Sequence, residues 1–212
     1  MEYSLRGFQC FELREIIVTK NKPLGFSGVF LFPKGVKMTA SKHFHNFPQQ
    51  IEPAEWFSLS TAIQNESMIL NTRTTPEDLA TVYNAGLAVV LEQNGKIIGF
   101  VALWPVAKKY LELGSIWIRP DHRGYGLGKQ LYKQTYSLPS LTDHLVFAVT
   151  QNKVSLRAGQ AAGFMIHTDW SWPIPWALTC GPCDKWKSEK EKHLCPWRNH
   201  TCWLYLSPAG LN

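Results

Sequence analysis

The 212-residue sequence has the composition of a folded domain, since 45% of its residues are hydrophobic and 13% are aromatic. A chain of this length buries roughly 70% of the surface that it exposes when unfolded, so it can fold without disulfide bonds, and extensive disorder is excluded. The 22 Lys and Arg residues against 16 Asp and Glu leave a net charge of +6, which favours phosphate-bearing partners but does not choose among nucleic acid, an anionic surface and a phosphorylated cofactor.

The apolar stretches are too short to span a bilayer. The longest uncharged ones, 97–107 and 171–183, fall short of the roughly 20 residues that a spanning helix requires. The first residues mix charged and apolar side chains, unlike a secretory signal. We therefore expect a soluble, cytoplasmic protein with one domain over residues 1–212 and an N-terminal elaboration at 1–45.

Helices are predicted in the stretch that follows this elaboration. Residues 1–45 alternate apolar runs with Pro, Gly and Lys, which predicts short strands or an irregular arm. Apolar spacing predicts a helix over 52–68. Thr75 as the N-cap and Pro76 as the first helical residue predict a second helix that runs toward Asn84.

Asn94–Gly95 is the strongest turn signal in the sequence. A type I′ turn needs positive φ at both central residues, so this dipeptide predicts a hairpin between strands at 87–93 and 96–104. The remaining elements are predicted as strand, helix, strand, helix, strand and strand at 110–119, 128–136, 144–150, 152–162, 164–169 and 202–206. This order predicts a mixed sheet in an α/β or α+β domain.

A glycine-rich turn at 123–128, Arg-Gly-Tyr-Gly-Leu-Gly, joins a predicted strand to a predicted helix. Backbone N–H groups at the start of that helix have no helical acceptor, so they can bind an anion. The three glycines let the main chain approach a phosphate closely. Their spacing excludes the dinucleotide pattern G-x-G-x-x-G, and Gln130 after Lys129 excludes a P-loop.

The stretch 113–131 resembles the cofactor-binding motif of the GNAT superfamily of N-acyltransferases. The family signature R/Q-x-x-G-x-G/A is matched by Arg123, Gly126 and Gly128. The family also places an apolar strand and a proline before this turn, as residues 116–120 do here.

A second block of the family is N-x-x-S/A followed by Gly–Phe, which Asn152, Ser155 and Gly163–Phe164 match. The likeness covers residues 75–169 and the final strand. It implies an α/β (α+β) fold with a central mixed, mostly antiparallel sheet flanked by helices, and with a Cys/Trp-rich insertion at 170–201 before the last strand.

The resemblance implies an acyl-CoA-dependent N-acetyltransferase. Such an enzyme transfers an acetyl group from acetyl-CoA to a primary amine of a small molecule, peptide or protein by direct attack on the thioester. The pyrophosphate would lie on the N–H groups of 123–128 and the pantetheine arm along the strand that ends at Ile118. The implied cofactor-binding residues are Ile116, Trp117, Ile118, Arg123, Gly124, Tyr125, Gly126, Gly128, Lys129, Asn152 and Ser155.

An amine must lose a proton before it can attack, so the reaction needs a base or a water relay. Glu112 is the candidate base, because the family often carries an acidic residue on the strand that leads into the motif. A solvent-facing charge at a strand start is the alternative interpretation of Glu112. His144 and Asp169 are weaker substitutes.

The sequence departs from the family at the expected general acid. Many members carry a Tyr seven residues after the motif Asn, where it can protonate the departing thiolate. Gly159 stands at that position here. Tyr125, Tyr132 or a bound water are the substitutes, and the sequence does not select among them.

The insertion carries clustered cysteines and tryptophans. Three interpretations of the cysteines stay open, namely a structural zinc site, redox-active thiols and unlinked structural cysteines, so no metal ligand is assigned. The tryptophans could line the acceptor pocket, form a dimer contact or pack in the core. The cysteines concerned are Cys180, Cys183, Cys195 and Cys202.

Two other functions compete with the enzyme. A catalytically inactive acyl-CoA-binding regulatory module is compatible with Gly159. A zinc-stabilised nucleic-acid-binding protein is disfavoured, because the densest basic stretch, 185–192, also contains Glu189 and Glu191. The expected partners are acyl-CoA and an amine acceptor, and no membrane partner is expected. The expected oligomeric state is a monomer or homodimer.

Overall fold

The structure, a computed structural model, describes residues 51–66, 73–135, 138, 144–171, 174, 176–181, 183, 195 and 197–206. Its helices are α1 (Pro53–Gln64), α2 (Pro76–Asn84), α3 (Leu127–Thr135), α4 (Lys153–Ala161) and α5 (Trp176–Cys180), with a short 3₁₀ helix at Pro120–His122. Its strands are β1 (Ala88–Gln93), β2 (Lys96–Ala107), β3 (Tyr110–Ile118), β4 (Leu145–Thr150), β5 (Met165–His167) and β6 (Trp203–Leu206). The predicted arm at 1–45 and the basic stretch 185–192 lie outside the described residues.

Local signals fix the ends of the first elements, as the sequence predicts. The Thr75 hydroxyl accepts a hydrogen bond from the N–H of Asp78 at 3.1 Å, which is the N-cap of α2. Asn94 and Gly95 have φ of 53° and 73°, so the hairpin between β1 and β2 closes through the turn expected for this dipeptide.

The six strands form one sheet in the order β1-β2-β3-β4-β6-β5. Every neighbouring pair is antiparallel except β3 and β4, which are parallel. The mixed, mostly antiparallel sheet flanked by helices is therefore confirmed. None of the helices among the described residues is both long and apolar enough to cross a membrane.

Side chains alternate between the two faces of the sheet and build separate cores on each. On the first face, Leu111, Leu113 and Val146 pack against residues of α3 and α4. On the second face, residues of β2 and β3 pack against α1 and α2. We call these the α3/α4 face and the α1/α2 face.

Three described residues of the Cys/Trp-rich insertion, Trp170, Ile174 and Trp176, cover the α1/α2 face of the sheet where β4 and β6 lie. Trp170 and Trp176 are 7% and 0% exposed and pack with Phe147 in one cluster. The Arg198 guanidinium lies 4.7 Å from the centre of the Trp170 ring, a cation–π contact. Core packing is thus confirmed for these two tryptophans. The helix α5 was not predicted, because five residues are too few to show a helical period.

Candidate active site

The parallel pair β3 and β4 separates partway along its length. The strands pair at Tyr110–Leu145, Leu111–Val146 and Glu112–Phe147, and the pairing ends there. β3 continues to Ile118 and β4 to Thr150. We call the point at Glu112 and Phe147 the fork, and the gap between 113–118 and 148–150 the cleft.

The outer end of β3 carries a β-bulge. Phe100 and Ala102 of β2 oppose Trp117 and Gly114, so β3 has one extra residue between these pairs. Ser115 has a φ of 53°, and its hydroxyl accepts a hydrogen bond from the Trp104 indole at 3.2 Å. A bulge bends and twists its strand locally, and pairing with β2 resumes beyond this one at Trp117 and Ile118.

Three predicted cofactor residues lie on this bulged end. Ile116 and Ile118 are half-buried and pack on the α3/α4 face, whereas Trp117 is 6% exposed and packs on the α1/α2 face. The buried Trp117 indole N–H has no acceptor among the described residues.

The glycine-rich turn lies directly after β3 and has the geometry of an anion site. Gly124 and Gly126 have φ of 85° and 78°, and nothing lies within 4 Å of where a Cβ would stand on either residue. The Gly126 carbonyl accepts from Gln130 N–H, so α3 begins immediately after it. The N–H groups of Leu127, Gly128 and Lys129 therefore have no acceptor inside their own helix, and they can bind a phosphate.

Arg123, the first residue of the glycine-rich turn, has hydrogen-bond partners within the protein. Its N–H donates to the Pro120 carbonyl at 3.2 Å, so this N–H is taken within the 3₁₀ helix. Its side chain donates to the Ile118 carbonyl at 2.9 Å and forms an ion pair with Glu66. Arg123 thus fastens the turn to the end of β3, and the N–H groups that lack a helical acceptor belong to the residues that follow it.

Asn152 and Ser155 lie at the start of α4, which packs with α3 on one face of the sheet. The Asn152 side chain accepts from the N–H groups of Val154 and Ser155 at 2.9 and 3.3 Å, so Asn152 is the N-cap of α4. The Ser155 hydroxyl bonds the Tyr132 hydroxyl of α3 at 2.8 Å. Both predicted residues therefore have structural partners, and both stand on the helix that follows the β4 side of the cleft.

Glu112 lies at the fork, on the α1/α2 face, and is only 7% exposed. Its Oε2 accepts from the Arg73 guanidinium at 2.7 Å and from the Thr179 hydroxyl of α5 at 3.3 Å. The Arg73 guanidinium also lies 5.2 Å from the centre of the Trp104 ring. The alternative interpretation of Glu112 as a solvent-facing charge is therefore wrong.

Asp169 and His144, the two weaker candidates for the base, are less buried than Glu112. Hydrogen bonds from the hydroxyl and N–H of Ser171 hold the pKa of the exposed Asp169 below its usual value, which makes it a poor base. His144 is half-buried immediately before β4.

The cysteines of the insertion are partly buried thiols. Burial raises the pKa of the Cys180 and Cys202 thiols to about 12, so both stay protonated near neutral pH. Among the residues that the structure describes, no three His, Cys, Asp or Glu side chains lie together as a metal site would require. The zinc interpretation is therefore not supported.

Sequence reasoning missed the partners of Glu112. Arg73 is 39 positions away from it and Thr179 is 67 positions away. No local pattern marks either residue, since Arg73 precedes a capped helix and Thr179 lies in a helix of five residues. The contribution of the Trp/Cys-rich insertion to the site at the fork could not be predicted for the same reason.

Comparisons with known proteins show which solved structures and which family model the chain is similar to. A Mycobacterium tuberculosis protein solved in complex with CoA and NLQ has a TM-score of 0.52 at 14% identity, covering 74% of this chain and 96% of its own. The N-acetylglutamate synthase of Neisseria gonorrhoeae, complexed with coenzyme A and N-acetyl-glutamate, has a TM-score of 0.50 at 16% identity, covering 76% of this chain and 34% of its own. At these identities the likeness establishes the fold alone.

A third structure, the ribosomal-protein-alanine N-acetyltransferase of Brucella melitensis, has a TM-score of 0.46 at 20% identity and covers 56% of this chain and 84% of its own. A search of curated proteins gave no match. Residues 50–138 match the model of the acetyltransferase (GNAT) family. The matched residues include the glycine turn and strands β1 to β3, so this part of the chain is similar to the GNAT acetyltransferase family.

Proposed function

We propose that the protein transfers an acetyl group from acetyl-CoA to a primary amine of a small molecule, peptide or protein by direct attack on the thioester. The nitrogen attacks the thioester carbon, the C–S bond breaks, and the products are an amide and CoA. The observation that carries this proposal is the fork, where a buried carboxylate lies at the closed end of the cleft. An open glycine turn follows the β3 side of the same cleft.

The donor side of the proposal rests on the turn after β3. The first-turn N–H groups of α3 and the open space at Gly124 and Gly126 suit a pyrophosphate, and Lys129 adds an exposed positive charge. From there the pantetheine arm would enter the cleft beside Ile116 and Ile118. A backbone N–H at this end of β3 would polarise the thioester carbonyl, an effect worth a few kcal/mol in a dry cleft.

The acceptor side rests on Glu112. Its two described contacts fall on Oε2, which Arg73 and Thr179 hold in place. A carboxylate accepts through both oxygens, so we assign Oε1 as the atom that takes the proton of the incoming amine, directly or through a water. Because Arg73 and α5 bury the carboxylate, the acceptor reaches it from the cleft.

A second candidate, an inactive acyl-CoA-binding module, is favoured by one observation. Gly159 carries no hydroxyl, and a Cβ there would lie 2.8 Å from the Tyr205 ring. The family's usual general acid therefore has neither a side chain nor space at this position. Turnover measurements separate the two candidates.

The experiment is a screen of primary amines with acetyl-CoA, read as acetylated product by mass spectrometry, for the natural protein and Glu112→Gln. We expect product with the natural protein and roughly 10²-fold slower turnover with Glu112→Gln, while acetyl-CoA binds both equally. The matched control is Glu55→Gln, which neutralises another buried carboxylate, hydrogen-bonded to Lys96 at the start of β2, 2.7 Å away.

Each outcome of this screen decides between the candidates. Turnover that Glu112→Gln leaves unchanged would remove Glu112 from the mechanism. Binding of acetyl-CoA without product from any amine would favour the inactive module. Equal losses of turnover in Glu112→Gln and Glu55→Gln would show that the slower turnover of Glu112→Gln results from lost stability.

A further inference from the structure

Arg73, the ion-pair partner of Glu112, is held in place by both its backbone and its side chain. Its backbone has a φ of 62°, a left-handed conformation that is strained for a residue other than glycine. Its guanidinium lies over the Trp104 ring, 5.2 Å from the ring centre, and Nη2 donates to Oε2 of Glu112 at 2.7 Å. The fold therefore fixes this guanidinium beside the carboxylate at the fork, even though the backbone that carries it is strained.

The Trp104 ring is a rigid support for Arg73. Trp104 is buried, and it lies directly opposite Glu112 where β2 pairs with β3. Its indole N–H donates to the Ser115 hydroxyl at 3.2 Å, and a Cβ on Gly114 would lie 3.2 Å from the ring, so the ring packs closely over that glycine. Trp104 thus keeps the guanidinium level with Glu112 on the α1/α2 face of the sheet.

Among the described residues, most of the hydrogen-bonding capacity of the Arg73 guanidinium is unused. A guanidinium presents its N–H groups in a planar fork, which matches a carboxylate through two parallel hydrogen bonds. In the part of the chain that the structure describes, Nη2 is the only side-chain nitrogen of Arg73 with an acceptor. The Arg73 side chain is 29% exposed, whereas Glu112 is buried. A second anion can therefore bind the guanidinium without displacing Glu112.

The proposed reaction changes the charge balance of this ion pair. Arg73 and Glu112 together carry no net charge before the amine loses its proton. When Glu112 takes that proton it becomes neutral, and the positive charge of Arg73 loses its partner in a partly buried place, which costs free energy. An acceptor with its own carboxylate supplies the missing negative charge. With such an acceptor bound, the site has no net charge either before or after the proton moves.

We propose that the acceptor is an α-amino acid, and that Arg73 binds its carboxylate while Glu112 takes the proton of its amine. This inference rests on the proposed function and narrows it to a small-molecule acceptor. Because Nη2 of Arg73 and Oε2 of Glu112 are only 2.7 Å apart, the two charged groups of the acceptor must also lie close together, as they do on a single α-carbon. The amino groups of a peptide or protein chain carry no such neighbouring carboxylate.

The test compares the standard L-amino acids with their amides as acceptors at saturating acetyl-CoA, read as acetylated product by mass spectrometry. The amide keeps the shape of the acid and removes its negative charge. We expect at least one amino acid to be acetylated with a kcat/KM about 10²-fold above that of its amide, because hydrogen bonds between charged groups are the stronger kind. The loss in the amide should appear in kcat as well as in KM, since the carboxylate matters most once the proton has moved to Glu112.

Arg73→Lys keeps a positive charge beside Glu112 and removes the planar fork, so we expect it to lower the ratio of acid to amide kcat/KM about tenfold. Thr179→Val is the matched control, because it removes the other hydrogen bond to Oε2 of Glu112, at 3.3 Å, without changing a charge. We expect Thr179→Val to slow the acid and the amide by the same factor. The ratio is measured within each variant, so a smaller folded fraction cancels from it.

The outcomes distinguish this inference from the proposed function. No product from any amino acid, amide or other primary amine would remove the proposed function and this inference with it. Acetylation of amides or other amines as fast as amino acids would overturn the inference and leave the proposed function standing. A preference for the acid that Arg73→Lys leaves unchanged, or that Thr179→Val reduces equally, would overturn the role of Arg73.

Discussion

Gly159→Ala is expected to destabilise the protein, although the same change stabilises most helices. Alanine in a helix interior is favoured over glycine by about 1 kcal/mol. At this position the new Cβ would lie 2.8 Å from the Tyr205 ring, closer than real Cβ contacts come. Overpacking a filled core costs about 1–3 kcal/mol. The upper half of that range applies, because the Tyr205 ring is buried and held by Tyr132.

The net loss is therefore about 1–2 kcal/mol, which lowers the melting temperature of a chain of this size by roughly 2–8 °C. The assay is thermal unfolding followed by circular dichroism. Gly128→Ala is the matched control, since Gly128 is also helical and its Cβ would meet the nearest atom, the Ala158 Cβ, at an ordinary 3.6 Å. That control should lose no stability.

Removing the Tyr205 ring should change the sign of the effect of Gly159→Ala on stability. In a Tyr205→Leu background, Gly159→Ala should no longer destabilise, because the two changes share one contact and are not additive. A melting temperature that rises with Gly159→Ala in the natural background, as it does in helices generally, would refute the packing argument. The same result would contradict the close packing of the Tyr132 and Tyr205 rings against Gly159 of α4.

Three further outcomes are expected. Thr75→Ala should cost about 0.5–2 kcal/mol in urea unfolding, and Thr75→Ser should restore most of it, because only the hydroxyl caps the helix. Lys96 lowers the pKa of the Glu55 carboxyl from 4.5, so the ion pair stabilises the fold above about pH 4.5 and less below it. Lys96→Met should therefore lower the free energy of unfolding near neutral pH. The difference between Lys96→Met and the natural protein should shrink when urea unfolding is repeated at lower pH. Cys180 and Cys202, with pKa values of about 12, should react with iodoacetamide far more slowly than a free thiol, as peptide mapping would detect.

The features that the sequence predicts correctly depend on neighbouring residues. The hairpin turn needs only Asn94 and Gly95 to adopt positive φ, and the start of α2 needs only the Thr75 hydroxyl and a nearby N–H. The glycine turn is likewise encoded within a few positions. Such signals are visible in a single sequence because the partners are adjacent along the chain.

The features that the sequence does not reveal depend on distant partners. The Tyr132–Tyr205 contact joins residues 73 positions apart, and the Arg73–Glu112 ion pair spans 39 positions. The end of β3–β4 pairing at Glu112 is likewise not marked by any residue pattern in either strand. Arg123 illustrates the same limit, since a motif match identifies the residue but not the atoms that it bonds.

The central claim is that acetyl-CoA binds at the turn after β3. The most direct measurement is calorimetric titration of acetyl-CoA into the natural protein, Gly126→Glu and Gly86→Glu. Gly86 has a φ of 71° and open space around it, as Gly126 does, but it follows α2. We predict binding to the natural protein and Gly86→Glu, and loss of binding in Gly126→Glu, whose carboxylate would repel the pyrophosphate. Equal binding by all three, or none by the natural protein, would contradict the account.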